Sequence, residues 1–231
     1  MSPSPAPPAL SARSITKRYG RKVVLEDAAL EVRPGEAVAL VGENGAGKST
    51  LLQICAGVLG ADSGTVTASG RIGYCPQEPG VFDLLTSDEH LILFGRGLGL
   101  SRETALAGGR ALLQEFDYPL AERTVARDLS GGTRQKLNLA LAVLGDPRIL
   151  LMDEPYQGFD RGSYVNFWDH VDRWRGQGRA VVVLTGTRFP AWSWWPRCRA
   201  ATSCDATWPW DCSWRCRSPS TAPWPDGTRR P

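Results

Sequence analysis

The chain has 231 residues and a formal net charge of +3. That length fits one α/β domain with a full core, the charge is too mild to argue for a nucleic-acid partner, and no uninterrupted apolar run approaches the ~18 residues that a membrane-spanning helix needs. Residues 1–8, Met1-Ser2-Pro3-Ser4-Pro5-Ala6-Pro7-Pro8, have neither a basic flank nor an apolar core. They read as a disordered Pro-rich leader, not a signal peptide. A cytosolic setting follows, in which the six cysteines are expected to be thiols.

Leu10 to Val32 alternates as short strands around a turn at Tyr19-Gly20-Arg21-Lys22. Pro34-Gly35 is a second turn, followed by the apolar strand Ala37-Val38-Ala39-Leu40-Val41. Thr50 to Gly57 reads as a helix, and Gly64 to Tyr74 as a small hairpin with arms Thr65-Val66-Thr67 and Arg71-Ile72-Gly73-Tyr74. Ser87 to Phe94 opens a helix with Ser87 as its cap and Asp88 and Glu89 in the first turn. Arg102 to Phe116 has helical spacing, weakened by Gly108-Gly109. Gly131 to Leu144 is a helix with broad apolar surface. Ile149-Leu150-Leu151-Met152 is a central parallel strand, Tyr164 to Trp174 a helix, and Ala180 to Leu184 another buried strand. Strands alternating with helices predict an α/β fold with a parallel core sheet. Residues 80 to about 128 form a helical lobe on it.

Three motifs carry chemistry. Gly42-Glu43-Asn44-Gly45-Ala46-Gly47-Lys48-Ser49-Thr50 matches the phosphate-binding loop, G-x-x-x-x-G-K-[ST]. Backbone N–H groups and the positive helix end converge on one place, which attracts polyphosphate. The pattern gives Lys48 the β/γ-phosphates and the Ser49 hydroxyl a Mg²⁺ ion. Asp153-Glu154 ends the apolar strand. Beside a phosphate loop, Asp153 is the expected second Mg²⁺ partner, and Glu154 is placed to polarise water for attack on the γ-phosphate. Leu129-Ser130-Gly131-Gly132-Thr133 opens a long helix with a hydroxyl and free N–H groups, chemically a second phosphate grip.

In this order, phosphate loop, glutamine loop, Leu-Ser-Gly-Gly and Asp-Glu-Pro, the chain resembles the ATP-binding cassette (ABC) ATPases over about residues 9 to 185. The resemblance implies a P-loop NTPase with a small antiparallel β subdomain beside the core sheet. Tyr19 stands where an aromatic ring stacks on adenine. Gln77 stands at the glutamine that senses Mg²⁺ and couples to the membrane partner. Ser130, Gly131 and Gly132 look like the signature that meets the γ-phosphate of ATP held by the opposite subunit, and Asp160 resembles the dimer-interface aspartate. Two such ATPase subunits would close head to tail on two ATP molecules. Hydrolysis would reopen them, driving a separate integral-membrane permease from the cytoplasmic face of the membrane. Two other readings stay open: a soluble ABC-type ATPase without a transport role, and an ATP-binding pseudo-ATPase that regulates a partner. Substrate and direction of transport lie in the permease and not in this chain.

The chain departs from the family in three places. Thr133 replaces the glutamine that more often closes the signature, with little expected consequence because Ser130 and the glycines make the direct contacts. Tyr156-Gln157-Gly158-Phe159 replaces Thr-x-Gly-Leu. A histidine is expected just past Leu184, where the chain reads Thr185-Gly186-Thr187-Arg188, and none follows. From Gly186 to Pro231 there is no Leu, Ile, Val, Met, Lys or Glu, yet the stretch holds seven of the nine tryptophans and four of the six cysteines. It shows no apolar period. Shifting the frame at the third base of codon 186, with GC-favoured codons, gives approximately H-P-I-P-R-L-E-L-V-A-A-L-P. That restores both the histidine and a plausible helix. A frameshift near codon 186, in the gene or in its reading, is therefore the expected origin of an aberrant tail over 186–231, with a genuine divergent Trp/Arg/Pro-rich interaction segment as the alternative. Weak or absent hydrolysis is the expected consequence of the missing histidine.

Overall fold

The computed structural model describes residues 7–119, 124–185, 199–200 and 213–216. The first strands, β1 (Leu10–Tyr19) and β2 (Lys22–Val32), pair antiparallel through a two-residue turn at Gly20-Arg21, with Tyr19 opposite Lys22. Gly20 has φ +59°, the left-handed conformation such a turn demands. β4 (Ser63–Ala68) joins the other edge of β1, giving the order β2-β1-β4.

The second sheet has the order β5-β6-β7-β3-β9-β8, its last two strands being β9 (Ser213–Cys216) and β8 (Arg199–Ala200). Its parallel part comprises β3 (Ala37–Val41), β5 (Ile72–Cys75), β6 (Ile149–Asp153) and β7 (Ala180–Thr185). All of β6 and β7 is buried, which is why both read as unbroken apolar runs. The period of two sorts their side chains. Leu150, Met152, Val181 and Val183 pack under α4 (Gly131–Val143) and α5 (Arg161–Gly176). Ile149, Leu151, Val182 and Leu184 face α1 (Lys48–Cys55) and the antiparallel sheet.

The predicted hairpin over Gly64 to Tyr74 is not formed. β4 pairs with β1, and β5 pairs parallel with β6, Ile72 opposite Ile149. The two arms belong to different sheets. Gly73 lets β5 lie hard against α4: a Cβ there would lie 2.0 Å from the Ala142 carbonyl oxygen.

The helical lobe holds α2 (Ser87–Gly97) and α3 (Arg102–Glu115). The cap of α2 is Thr86, one residue before the expected Ser87. Its hydroxyl accepts from the Glu89 amide at 3.3 Å, while the Glu89 carboxylate accepts from the Thr86 amide at 2.8 Å. This reciprocal pair satisfies two donors at once and outcompetes a lone serine. Gly109, read as a weakness of α3, is a contact. A Cβ at Gly109 would sit 2.2 Å from Leu91 Cδ2, so the two helices meet through its missing side chain.

Cys55 and Cys75 are buried free thiols, and burial pushes Cys55 up to about 12. Among the described residues no helix is long and apolar enough to cross a membrane. The expected leader (residues 1–6 of it) and most of the tail lie outside the described residues. Within the tail, β8 (Arg199–Ala200) and β9 (Ser213–Cys216) pair with each other, and β9 pairs antiparallel with β3.

Candidate functional site

Parallel strands end on one edge, and that edge collects the predicted site. The loop Gly42–Gly47 follows β3, Gln77 lies two residues past β5, Asp153 and Glu154 close β6, and Thr185 closes β7. Ligands of open α/β sheets bind at such carboxyl ends.

The loop itself is built on left-handed backbone, which favours glycine, at two points. Gly45 and Gly47 have φ +84° and +83°. A Cβ on Gly47 would also lie 2.7 Å from the Val24 carbonyl oxygen, so the loop rests on β2. Gly47 caps α1 in the left-handed conformation with no side-chain hydrogen bond. The first amides of α1 are therefore left for an anion. Glu43, Asn44 and Gly45 are exposed and Ala46 is buried. Lys48 Nζ donates to the carbonyls of Gly42 and Glu43, each at 2.7 Å. Burial lowers its pKa, while the nearby Glu154 and Asp153 carboxylates act the other way.

Asp153 is 2 % exposed. The Ser49 hydroxyl hydrogen-bonds its carboxyl group, yet Asp153 Oδ1 is buried without a partner. Burial raises the Asp153 pKa, against the Ser49 hydrogen bond. A hard cation beside Ser49 would satisfy the orphan oxygen and hold the carboxylate ionised, so these residues fit Mg²⁺. Among the described residues no group of three or more His, Cys, Asp or Glu could hold a metal alone. The ion would take its other ligands from phosphate and water.

Glu154 has φ +45°, a left-handed conformation for a residue with a side chain, which costs roughly 1–3 kcal/mol. Its amide donates to Leu184 O at 3.0 Å. Its Oε2 accepts from Gln77 Nε2 at 3.4 Å and, in a short bond, from Gln157 Nε2. Gln77 and Glu154 are thus brought together. Gln157 joins them although its motif position admits any residue, so no sequence signal marked it. Tyr156 donates a short hydrogen bond to the Thr185 hydroxyl, tying the segment after Glu154 to the end of β7. Burial pushes the Tyr156 phenol up to about 12.

Ser130 and Gly131 are exposed at the start of α4. Ser130 Oγ accepts from the Thr133 amide at 3.2 Å and pairs with Thr133 Oγ1 at 2.8 Å. Gly132 packs on Gly158: a Cβ on Gly132 would lie 2.4 Å from the Gly158 carbonyl oxygen. The signature and the segment leading to Asp160 therefore touch through bare backbone. Asp160 itself caps α5, accepting from the Ser163 amide at 2.9 Å. Further along α4, buried Asn138 was missed in the sequence. Its Nδ2 donates to Pro76 O at 2.9 Å, and its Oδ1 accepts from Gly80 N at 3.4 Å, so it holds both ends of the loop carrying Gln77. An amide between Leu137 and Leu139 was the available signal. Tyr19 is 51 % exposed at the end of β1, with Lys17 Nζ 5.7 Å from its ring centroid. A flat exposed ring suits stacking, although no other candidate residue touches it.

Residues 25–157 match the family model of the ABC transporter. The chain is 34 % identical over 192 residues to the Nod factor export ATP-binding protein I of Cupriavidus metallidurans, covering 76 % of this chain and 62 % of that protein. It is 31 % identical over 185 residues to the protein of the same name from Burkholderia lata, covering 75 % and 61 %. It is also 34 % identical over 192 residues to the human phospholipid-transporting ATPase ABCA7, 77 % of this chain but 9 % of that one. The chain thus spans about three-fifths of the bacterial relatives it matches. Among solved structures, an ATP-binding subunit of an ABC transporter superposes with a TM-score of 0.72 at 28 % identity, covering 79 % of this chain and 81 % of that one. A dimeric bacterial ABC transporter cassette gives 0.69 at 25 %, covering 76 % and 87 %. The matched segment contains the phosphate loop, the glutamine loop, the signature and the Asp153-Glu154 pair, and with them the chain belongs to the ABC transporter family.

Proposed function

We propose that this chain binds Mg-ATP and, paired head to tail with a second ATPase subunit, couples slow ATP hydrolysis to a separate membrane permease. The observation that carries this reading is the convergence of Lys48, Ser49, Asp153, Glu154 and Gln77 at one edge of the parallel sheet. The loop amides and Lys48 bind phosphate, and Tyr19 stacks on the base. Ser49 and Asp153 hold Mg²⁺, which when bound neutralises charge on the phosphate oxygens. Glu154 takes the proton of the attacking water. The amides of Gln77 and Gln157 fix one carboxylate oxygen and leave the other free for that proton.

Ser130 and Gly131 are exposed at the start of α4, and in this reading the phosphate they meet, with Gly132, is the one held by the opposite subunit. The dimeric relative supports this arrangement, with Asp160 at the interface. A groove of about 590 Å³ between β5 and α2, rimmed by exposed Phe82 and Leu93, is open to a permease segment. Asn138 sits at its floor and ties it to the Gln77 loop. In this reading the chain acts peripherally, on the cytoplasmic face of the membrane. Relatives are named for Nod factor export and for phospholipid transport; in this reading the permease, not the cassette, selects the substrate.

The test is sedimentation of a Glu154→Gln chain, in which bound nucleotide is not consumed. Mg-ATP is expected to convert it from monomer to dimer, and ADP is not. A monomer at saturating Mg-ATP would overturn the head-to-tail reading.

A further inference from the structure

We infer that Thr133 is a positioning residue that turns Ser130 into a directed proton donor toward the γ-phosphate held by the opposite subunit. The inference rests on the head-to-tail reading above and adds to it a role for the threonine that stands in place of the signature's usual glutamine.

A serine hydroxyl has one proton to donate and two lone pairs to accept with. At Ser130 the Thr133 amide takes one lone pair at 3.2 Å. The Thr133 hydroxyl lies 2.8 Å away, close enough to take the second. With both lone pairs filled from within α4, the Ser130 proton has nowhere to go but outward. Ser130 is exposed, so outward means solvent or an incoming anion. A hydroxyl that accepts two hydrogen bonds is also the stronger donor through cooperative polarisation.

Without a ligand the pair can run the other way, Ser130 donating to Thr133 Oγ1. An arriving phosphate oxygen selects the outward orientation, because Thr133 can reverse its own hydroxyl at no cost in geometry. A glutamine or an apolar residue at position 133 cannot offer this reversal from the same site. Thr133 thus replaces the usual glutamine with a local device, and the substitution is not neutral.

The experiment uses the full chain carrying Glu154→Gln and reads the Mg-ATP concentration that half-converts monomer to dimer in sedimentation. Thr133→Val keeps the backbone cap and the shape, and removes only the hydroxyl. It is expected to raise the midpoint about tenfold. Thr133→Ser is expected to stay within about twofold of the parent. Ser130→Ala should raise the midpoint at least as far as Thr133→Val, and adding Thr133→Val to Ser130→Ala should change nothing more, because the two act through one proton. Thermal midpoints of Thr133→Val and Thr133→Ser should agree. If Ser130→Ala weakens dimerisation while Thr133→Val does not, or if the two losses add, the role of Thr133 is overturned and the head-to-tail reading stands. If Ser130→Ala has no effect, or no dimer forms, that reading fails and takes the inference with it.

Discussion

A chain whose segment after Thr185 is replaced by the shifted-frame reading, with its histidine, should release phosphate from Mg-ATP at least about a hundredfold faster than the chain as it stands, the usual worth of one positioned proton-transfer group. The present chain has two histidines, and neither can stand in. His90 is wholly buried in the helical lobe. Its Nε2 accepts from the Phe82 amide and its Nδ1 faces the Thr86 carbonyl, both at 2.8 Å. His170 is buried on α5 against Phe116 and Trp174, with Nε2 3.2 Å from the Glu115 carbonyl oxygen. Burial lowers the pKa of both, and neither lies at the strand ends where Lys48 and Glu154 meet. Phosphoryl transfer depends on position and field more than on any covalent step, so a missing γ-phosphate contact is felt in turnover and not in binding. Steady-state rates for both chains, each corrected by its own Glu154→Gln variant, check this. Equal rates would contradict it, and so would nucleotide sequence showing an early stop in the shifted frame.

The second large effect separates two glycines of one loop. Gly45→Ala and Gly47→Ala both force a side chain into a left-handed backbone, at about 1–2 kcal/mol each. A Cβ at Gly45 meets nothing within 4 Å. At Gly47 it meets the Val24 carbonyl oxygen at 2.7 Å and Leu25 Cδ2 at 2.9 Å. Backbone of β2 cannot yield as a side-chain tip can, so the loop must lift off the sheet and carry Lys48 with it. Gly45→Ala should weaken Mg-ATP binding about tenfold, and Gly47→Ala at least about a hundredfold. Equal losses in a nucleotide titration would show that Gly47 is kept for its torsion alone and not for its seat on β2.

How much was legible in the sequence depended on how local each signal was. The phosphate loop, the strand before it and the helix after it lie within about twenty residues; β3 formed where the pattern put it, and α1 formed at Lys48–Cys55, two residues earlier than the Thr50 to Gly57 reading. The unbroken apolar runs of β6 and β7 marked strands covered on both faces. The Gly64 to Tyr74 segment failed because strand partners are set at long range. Ile72 pairs with Ile149, and nothing in Arg71-Ile72-Gly73-Tyr74 names a partner that distant. The cap of α2 was legible but overlooked, since Thr86 and Glu89 stand at capping-box spacing. The roles of Asn138, marked only as an amide between two leucines, and of Gln157, not marked at all, were hidden for another reason. Each matters through a loop it touches, and that contact exists only once α4 crosses β5 or once Glu154 turns its carboxylate back. Gly109 shows the limit of propensity: its cost to the helix was readable, and the Leu91 side chain it admits was not.

The central claim is that the edge formed by Gly42–Thr50, Asp153 and Glu154 is a Mg-ATP site. Equilibrium titration of the full chain with a fluorescent ATP analogue, with and without Mg²⁺, tests it most directly. The expected result is saturable binding of one nucleotide per chain, strengthened by Mg²⁺ and lost in Lys48→Ala at unchanged thermal stability. Binding of equal strength in the parent and the Lys48→Ala chain, or no saturable binding in either, would contradict it.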